Sequence, residues 1–270
     1  MKFTLLTLFP EYFTSPLGTS LLGRAAAQGV LSFSYVNFRD FGEGRYKAVD
    51  DRPYGGGPGM VMIAPVLERA LEAALKLHGA TLEELESDVA RKKSNGVPFG
   101  DKTGERYGLP FCVYLSPQGK TLTAARGRQW AAEWGERPVI LICGHYEGLD
   151  ERFIETFVHE EVSIGDYVLT GGETAAVVLI ETLARFVPGV VGEAASVTAD
   201  TFETADAALE PGGLKYPMYT RPSEYRGRAV PDVLTSGNHA AIEKWRREQS
   251  RARTAARRPD LLTNKGKPRG

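Results

Sequence analysis

Residues 138–156 read PVILICGHYEGLDERFIET, and the order of residue types in this stretch sets the architecture. Pro138 to Cys143 is a β-branched and aliphatic run too short for a helix, so it predicts a strand buried on both faces. A loop with two glycines, Cys143-Gly-His-Tyr-Glu-Gly148, follows at once. Asp150 then stands where a helix begins, its short carboxylate suited to accept from the unpaired amides of the first turn, ahead of a helix over 150–156. Strand, glycine loop and helix together form the building unit of a parallel α/β sheet.

The unit recurs on both sides of this stretch. Lys2 to Phe9, Ser32 to Phe38, Phe111 to Leu115 and Phe157 to Ile164 are rich in Val, Ile, Leu and aromatics and predict further strands. Leu17 to Gln28, Ala64 to Leu77, Thr121 to Trp134 and Glu173 to Phe186 predict the intervening helices, with Pro65 suited to a first turn. The fold class is therefore α/β, a parallel sheet with helices on both faces. Residues 79–109 are polar and turn-rich and predict an exposed insertion. From Pro188-Gly189 to Gly213 the periodicity lapses among scattered acids, which predicts a linker. The expected organisation is an α/β domain over 1–188, a flexible linker over 189–213 and a helical domain over 214–270.

Composition bounds what such a chain can be. Of 270 residues, 42% are hydrophobic, 25% charged and 10% aromatic, which fits a soluble globular protein and excludes disorder over most of the length. No apolar run approaches the ~18 residues of a membrane span, and Ala175 to Ile180 ends at Glu181. The opening MKFTLLTLF imitates a signal peptide, but Thr4 and Thr7 followed by Pro10-Glu11 favour a strand, so a cytoplasmic protein is expected. Cys112 and Cys143 each lie inside an apolar run and read as buried strand residues, so no thiolate metal site is expected.

The net charge of −1 hides a division. Residues 221–270 hold 13 Lys/Arg against 5 Asp/Glu, a surplus of +8, whereas residues 1–220 hold 20 against 29, a balance of −9. Glu243 to Arg258 contains neither Gly nor Pro and reads as a helix entered at Ser236-Gly237-Asn238 and stopped by Pro259. Arg247, Arg251 and Arg258 share one face, and Arg246, Arg253 and Arg257 another. Such a helix is either a solvated terminus or a surface for an anionic partner, with nucleic-acid phosphate foremost.

Three glycine loops follow strands: Tyr114 to Gly119, Cys143 to Gly148, and Ser163 to Glu173. Ligands of parallel sheets bind beyond the carboxyl ends of the strands, so the three suggest one composite pocket; each also reads as a tight strand-to-helix turn. Familiar nucleotide and metal patterns fail. Gly119-Lys120-Thr121 resembles the end of a phosphate-binding loop, but the glycine required five residues earlier is Tyr114. His159-Glu160-Glu161 lacks its second His, since that position is Ser163. Val49 to Met60 combines two carboxylates, Asp50 and Asp51, with Arg52, Tyr54 and four glycines, and suits a loop that wraps a planar ligand or an RNA base, or one that is simply mobile.

Read in order, LFPEYF (8–13), DDRPYGGGPGM (50–60), YLSPQG (114–119), CGHYEGLDER (143–152), SIGDYVLTGGE (163–173), RFVPGV (185–190), SGNHAAIEKWRREQS (236–250) and RRPDLL (257–262) resemble one family. That family is the bacterial tRNA (guanine-N1)-methyltransferases of the SPOUT superfamily, which modify the guanosine just 3′ of the anticodon. The resemblance implies a parallel α/β domain with a deep trefoil knot, a small helical C-terminal domain and an obligate homodimer with its active site at the subunit interface.

The resemblance also implies a site. S-adenosylmethionine would sit against Tyr114, Leu115, Ser116 and Pro117, against Gly144, Tyr146, Glu147 and Gly148, and against Ile164, Gly165, Asp166, Tyr167, Val168 and Leu169 with Gly171 and Gly172. Asp200 in SVTADTF would be the general base and Arg185 its partner. The tRNA would meet Asp51, Arg52, Tyr54, Gly57 and Gly59, and its anticodon-stem phosphates would meet Arg246, Arg247 and Arg251. Some members of the family depend on magnesium, for which Glu147 would be the ligand. His145 stands where many relatives have Arg.

Overall fold

The computed structural model describes residues 1–95, 108–135, 137–192, 200–202 and 208–263. The chain divides into two compact units, Met1–Val191 and Gly192–Gly270. In the first, β1 (Lys2–Thr7) leads through α1 (Thr14–Gly18) and α2 (Ser20–Ala27) to β2 (Ser32–Asn37). A short ribbon, β3 (Asp50–Asp51) and β4 (Val61–Met62), precedes α3 (Ala64–Lys76) and α4 (Leu82–Asn95). The remainder runs β5 (Phe111–Thr121), α5 (Ala124–Trp134), β6 (Pro138–Ile142), α6 (Glu151–Phe157), β7 (Glu160–Ser163) and α7 (Glu173–Ala184). Five strands form one sheet in the order β2-β1-β6-β5-β7, and each neighbouring pair is parallel.

The central strand shows why an unbroken apolar run belongs there. Side chains of a strand alternate between faces. Ile140 and Ile142 enter a core with Leu6, Cys112 and Tyr114 under α3, α4 and α6. Val139 and Leu141 enter the other core with Phe3, Val113 and Trp134 against α5 and α7. Both faces are covered, so no polar residue is tolerated from Val139 to Cys143.

Local boundaries differ from the sequence reading for identifiable reasons. Leu17 to Gln28 is not one helix, because Thr19 is extended and separates α1 from α2. The strand expected from Phe157 begins only at Glu160, since Phe153, Ile154 and Phe157 bury one face of α6. β5 runs on to Thr121 around a bulge: Val162 pairs first with Leu115 and again with Lys120, leaving residues 116–119 as an excursion.

The exposed insertion expected over 79–109 is corrected over its first half. Thr81 and Glu84 form a capping box: the Thr81 N–H donates to Glu84 Oε2 at 3.1 Å and the Glu84 N–H to Thr81 Oγ1 at 3.3 Å. The helix this starts, α4, buries Leu85 and Val89 in the core under the sheet. Asp88 fastens it further, accepting from Arg137 Nη2 at 2.9 Å. Residues 96–107 of the insertion lie outside the described residues.

The second unit is built on one long helix. After a hairpin of β8 (Glu224–Tyr225) and β9 (Arg228–Ala229) come α8 (Asp232–Thr235), α9 (His239–Arg257) and α10 (Asp260–Thr263). Asn238 caps α9, accepting the Ala241 N–H at 3.1 Å. Ser250 and Thr254, one turn apart and fully buried, lace the preceding chain to the helix. Ser250 Oγ accepts the Glu210 N–H at 2.9 Å and donates to the Leu214 carbonyl at 2.7 Å, while Thr254 Oγ1 accepts the Leu214 N–H at 2.9 Å.

Residues 208–213 of the expected linker are thus held against α9, and the Phe202 N–H reaches the Gly213 carbonyl at 2.8 Å. The linker residues 193–199 and 203–207 lie outside the described residues. Arg246 lies on the Ser250 and Thr254 side of α9 and is half-buried, whereas Arg247, Arg251 and Arg257 are exposed. Among the described residues, no helix is long and apolar enough to cross a membrane.

Candidate active site

The three glycine loops converge where β6 and β7 end and where β5 makes its excursion. The Gly172 N–H donates to the Gly144 carbonyl at 2.9 Å, and His145 and Gly171 form an antiparallel bridge. Tyr114, on β5 just before its excursion, lies over the second loop. A Cβ built on Gly144 would fall 2.8 Å from the Tyr114 ring, and one on Gly172 would fall 2.7 Å from the Cys143 Cα. The absence of side chains at these two positions is what allows the loops to touch.

The glycine-rich ribbon joins them. The Glu147 N–H donates to the Met60 carbonyl and the Met62 N–H to the Gly148 carbonyl, each at 2.9 Å. β3 and β4 are therefore clamped to the second loop, and the 52–60 segment projects from that clamp. Asp51, Arg52, Gly57 and Gly59 are exposed there, and Tyr54 is wholly so, its ring offered to solvent. Asp50, which was not among the expected site residues, accepts a hydrogen bond from the Tyr146 phenol; burial and then this carboxylate raise the Tyr146 pKa above its ordinary value. Tyr146 itself is in the left-handed region, at φ +60°.

Charge inside the site is arranged around Glu173. This carboxylate is buried at the start of α7 and accepts from the Thr7 hydroxyl at 2.6 Å. His145 Nε2 lies 2.9 Å from each of its oxygens. Neither Thr7 nor Glu173 was singled out from sequence, although an acid opening the apolar helix ETAAVVLIETLA is a visible signal. Nearby, burial first and Glu161 second push the Tyr114 phenol up to about 12, so it remains protonated near neutral pH. Burial raises the Cys143 thiol well above its ordinary value, which removes it as a nucleophile.

The chemistry of the rim indicates the ligand it suits. Leu115 and Ser116 are buried supports beneath it, while Tyr167, Val168 and Leu169 of the third loop are exposed, as are the carboxylates of Glu147 and Asp166. Apolar and aromatic surface suits a flat heterocycle, and the carboxylates suit hydroxyl donors or positive charge on the same molecule. Pro117 is exposed on the excursion of β5, and Ile164, Gly165 and Gly171 are half-buried. Among the described residues no cluster of three or more His, Cys, Asp and Glu is arranged to hold a metal ion. Glu147 offers a single carboxylate, the donor set of a magnesium ion that keeps most of its waters.

The expected general base and its charge-stabilising partner lie in different units. Arg185 is the exposed C-cap of α7 in the first. Asp200 lies in the second, where its Oδ1 accepts the Thr201 N–H at 2.9 Å. Of the three arginines expected to meet tRNA phosphates, Arg247 and Arg251 are exposed, whereas the Arg246 guanidinium lies 4.9 Å from the Tyr216 ring centroid.

Comparison with known proteins bears on this geometry. The family model described as "tRNA (Guanine-1)-methyltransferase TrmD" matches residues 1–264. A tRNA (guanine-N(1)-)-methyltransferase of Alkaliphilus oremlandii is 44% identical over 262 residues, which cover 97% of this chain and 92% of the relative. One of Brucella canis is 45% identical over 258 residues, covering 96% and 88%. One of Chlamydia pneumoniae is 46% identical over 264 residues, covering 98% of this chain and 62% of the relative.

Proposed function

We propose, from the premise that the chain belongs to the tRNA (guanine-1)-methyltransferase family and is a tRNA (guanine-N1)-methyltransferase, that its methyl donor is S-adenosylmethionine and its target the guanosine just 3′ of the anticodon. The observation that carries the donor assignment is the contact of three glycine loops at one end of the sheet, with aromatic and acidic side chains at their rim. The purine would lie among the apolar residues of the third loop, with Glu147 and Asp166 toward the hydroxyl and cationic groups. When bound, the donor supplies an electrophilic methyl group on a sulfonium.

The chain's own residues then have two tasks. Guanine N1 carries a proton at neutral pH, and Asp200 accepts it as the general base. Negative charge grows at O6 as the proton leaves, and the Arg185 guanidinium stabilises it there, as a donor in an oxyanion hole does. Positioning N1 within roughly 3–3.5 Å of the methyl carbon removes much of the remaining barrier. Tyr54 and the glycines of the 52–60 segment would hold the base, and Arg247 and Arg251 the phosphates.

The enzyme acts as a homodimer in this reading, with the loops of one subunit facing Asp200 of the other. Supporting it, the first unit leaves Phe9, Tyr12, Tyr35 and Val178 exposed, and the Tyr12 hydroxyl lies 2.7 Å from Thr174 Oγ1 beside them. A deep trefoil knot in the sheet domain belongs to the same proposal, supported by family membership and by the fastening of residues 171–172 to 144–145. Incubation with labelled S-adenosylmethionine and unmodified tRNA bearing guanosine 3′ of the anticodon tests the whole. The expected product is 1-methylguanosine at that nucleotide, and its absence refutes the assignment.

A further inference from the structure

The second unit contains a cavity of about 370 Å³ whose walls include Tyr216, Met218, Tyr219, Arg221, Ile242 and Arg246. Its size lies in the range of small-ligand sites. None of the glycine loops lines it, nor does Asp200. Two features mark it as built for more than packing. Met218 and Tyr219 present 66% and 48% of their surface to solvent, an unusual exposure for large apolar groups at the mouth of a cavity. In addition, the Arg246 Nε is buried with no hydrogen-bond partner, although an unmet buried donor is costly.

The posture of Arg246 separates it from the other arginines of α9. Arg247 and Arg251 are exposed, as suits cations that meet phosphate. Arg246 instead lies against the Tyr216 ring at 4.9 Å, and Tyr219 stands 6.3 Å from Trp245 at the neighbouring position of the helix. A flat guanidinium, exposed aromatic faces and an unmet N–H are the complement of an unstacked nucleobase, which offers a π-face and ring or carbonyl acceptors on its edge. The surrounding charge agrees, since residues 221–270 carry a surplus of +8.

We infer that this cavity takes one unpaired nucleobase of the tRNA, other than the base that is methylated, stacked on Tyr219 and accepting a hydrogen bond from Arg246. The inference rests on tRNA being the substrate. It gives the second unit a base-reading role in addition to backbone affinity, because only an unpaired nucleotide can be splayed out to enter.

The test is a coupling measurement with the full-length protein. Unmodified tRNA transcripts carrying single abasic nucleotides at successive unpaired positions are titrated against the parent and Tyr219→Ala. Loss of one stacked base is expected to weaken binding by at least about 5-fold. One abasic position should show this loss with the parent and none with Tyr219→Ala, which should itself bind intact tRNA correspondingly less well. Tyr219→Leu, which keeps an apolar contact toward Trp245 but lacks the ring, should behave as Tyr219→Ala does. Arg246→Lys, which keeps the charge, should also lose affinity, whereas Arg251→Lys should not. Equal abasic effects on parent and both Tyr219 variants at every position overturn the inference. If the parent methylates tRNA in that case, only the cavity assignment falls; if it neither binds nor methylates tRNA, the functional reading falls with it.

Discussion

His145 Nε2 lies 2.9 Å from both carboxylate oxygens of Glu173, so one buried acid closes the second glycine loop onto the start of α7. The same carboxylate accepts the Thr7 hydroxyl, which in turn accepts the Phe9 N–H at 2.9 Å. The end of β1, the loop after β6 and the entry to α7 are thereby fixed to a single group. Its place in the first turn of α7, where the helix dipole favours negative charge, lowers the cost of burying it.

Glu173→Ala leaves the Thr7 hydroxyl and the His145 ring without their acceptor. Each unmet buried group costs about 1–3 kcal/mol, and each kcal/mol lowers Tm by roughly 2–4 °C in a unit of this size. We expect scanning calorimetry to show Tm lower by at least about 4 °C. His145→Arg presents a two-pronged donor to the same two oxygens and should melt no lower than the parent. An unchanged Tm in Glu173→Ala would remove the carboxylate from the stabilising network.

Replacing glycine where the loops touch should damage donor binding. In Gly172→Ala the new methyl meets the Cys143 backbone, which cannot step aside, whereas in Gly144→Ala it meets the movable Tyr114 ring. We expect calorimetry with S-adenosylmethionine to show the greater loss of affinity in Gly172→Ala, about ten-fold or more. The reverse order would place the ligand elsewhere.

Asp200→Ala should separate chemistry from binding. Loss of a general base lowers turnover by roughly 10²–10⁴-fold. Donor affinity should stay within about two-fold of the parent, because Asp200 is not among the loop residues. Normal single-turnover rates in this variant would exclude Asp200 as the base.

Stability should fall with acidity in two stages, both set at the seam of α4. Cys112 donates its N–H to His159 Nδ1 at 3.0 Å, which leaves the His159 Nε2 proton facing Asp88 at 3.3 Å. Burial lowers the His159 pKa from 6.5 to about 4, despite Asp88 beside it and with Arg137 and Lys92 also near. The unfolded chain therefore takes up this proton first, and stability declines as pH falls from about 6.5 to 4. Asp88 is held well below the usual carboxylate range, by its hydrogen bond to His159 first and then by Arg91 and Arg137, against the effect of burial. Its contribution is present above the ordinary value of 3.8 and is lost as pH falls through and below it. Urea unfolding at successive pH values should show a flatter slope between 6.5 and 4 in His159→Gln than in the parent; an identical slope would contradict this.

Backbone affinity for tRNA should carry the signature of counterion release. Arg251→Ala is expected to reduce the slope of log affinity against log salt by about 1, uniformly across tRNA sequences. A variant with weaker binding but an unaltered slope would mean that Arg251 does not meet phosphate.

Much of this protein follows from interactions that act within a few residues. An unbroken apolar run makes Pro138–Ile142 a doubly buried strand, and Asp150 and Asn238 cap the helices that follow them, each accepting a main-chain N–H from its own first turn. Glycines after three strands mark the same three loops that meet in the structure. The helical nature of residues 82–95 was also written locally, in the Thr81 and Glu84 capping box and the Leu82, Leu85, Val89 spacing, but the density of charge around them obscured it.

What the sequence alone determined is the five strands of the sheet, the order of motifs and the family to which they belong, since propensity, caps and periodicity depend on neighbours along the chain. Only the tertiary structure decided that Glu173 would receive Thr7 from 166 residues away, that Asp50 would meet Tyr146, and that Arg246 would turn from its helix neighbours onto Tyr216. A charged side chain reads the same whether it ends in solvent, in an ion pair or against a ring. Its partner is fixed by which surfaces the buried sheet and helices bring within a few ångströms, and that depends on the whole fold at once.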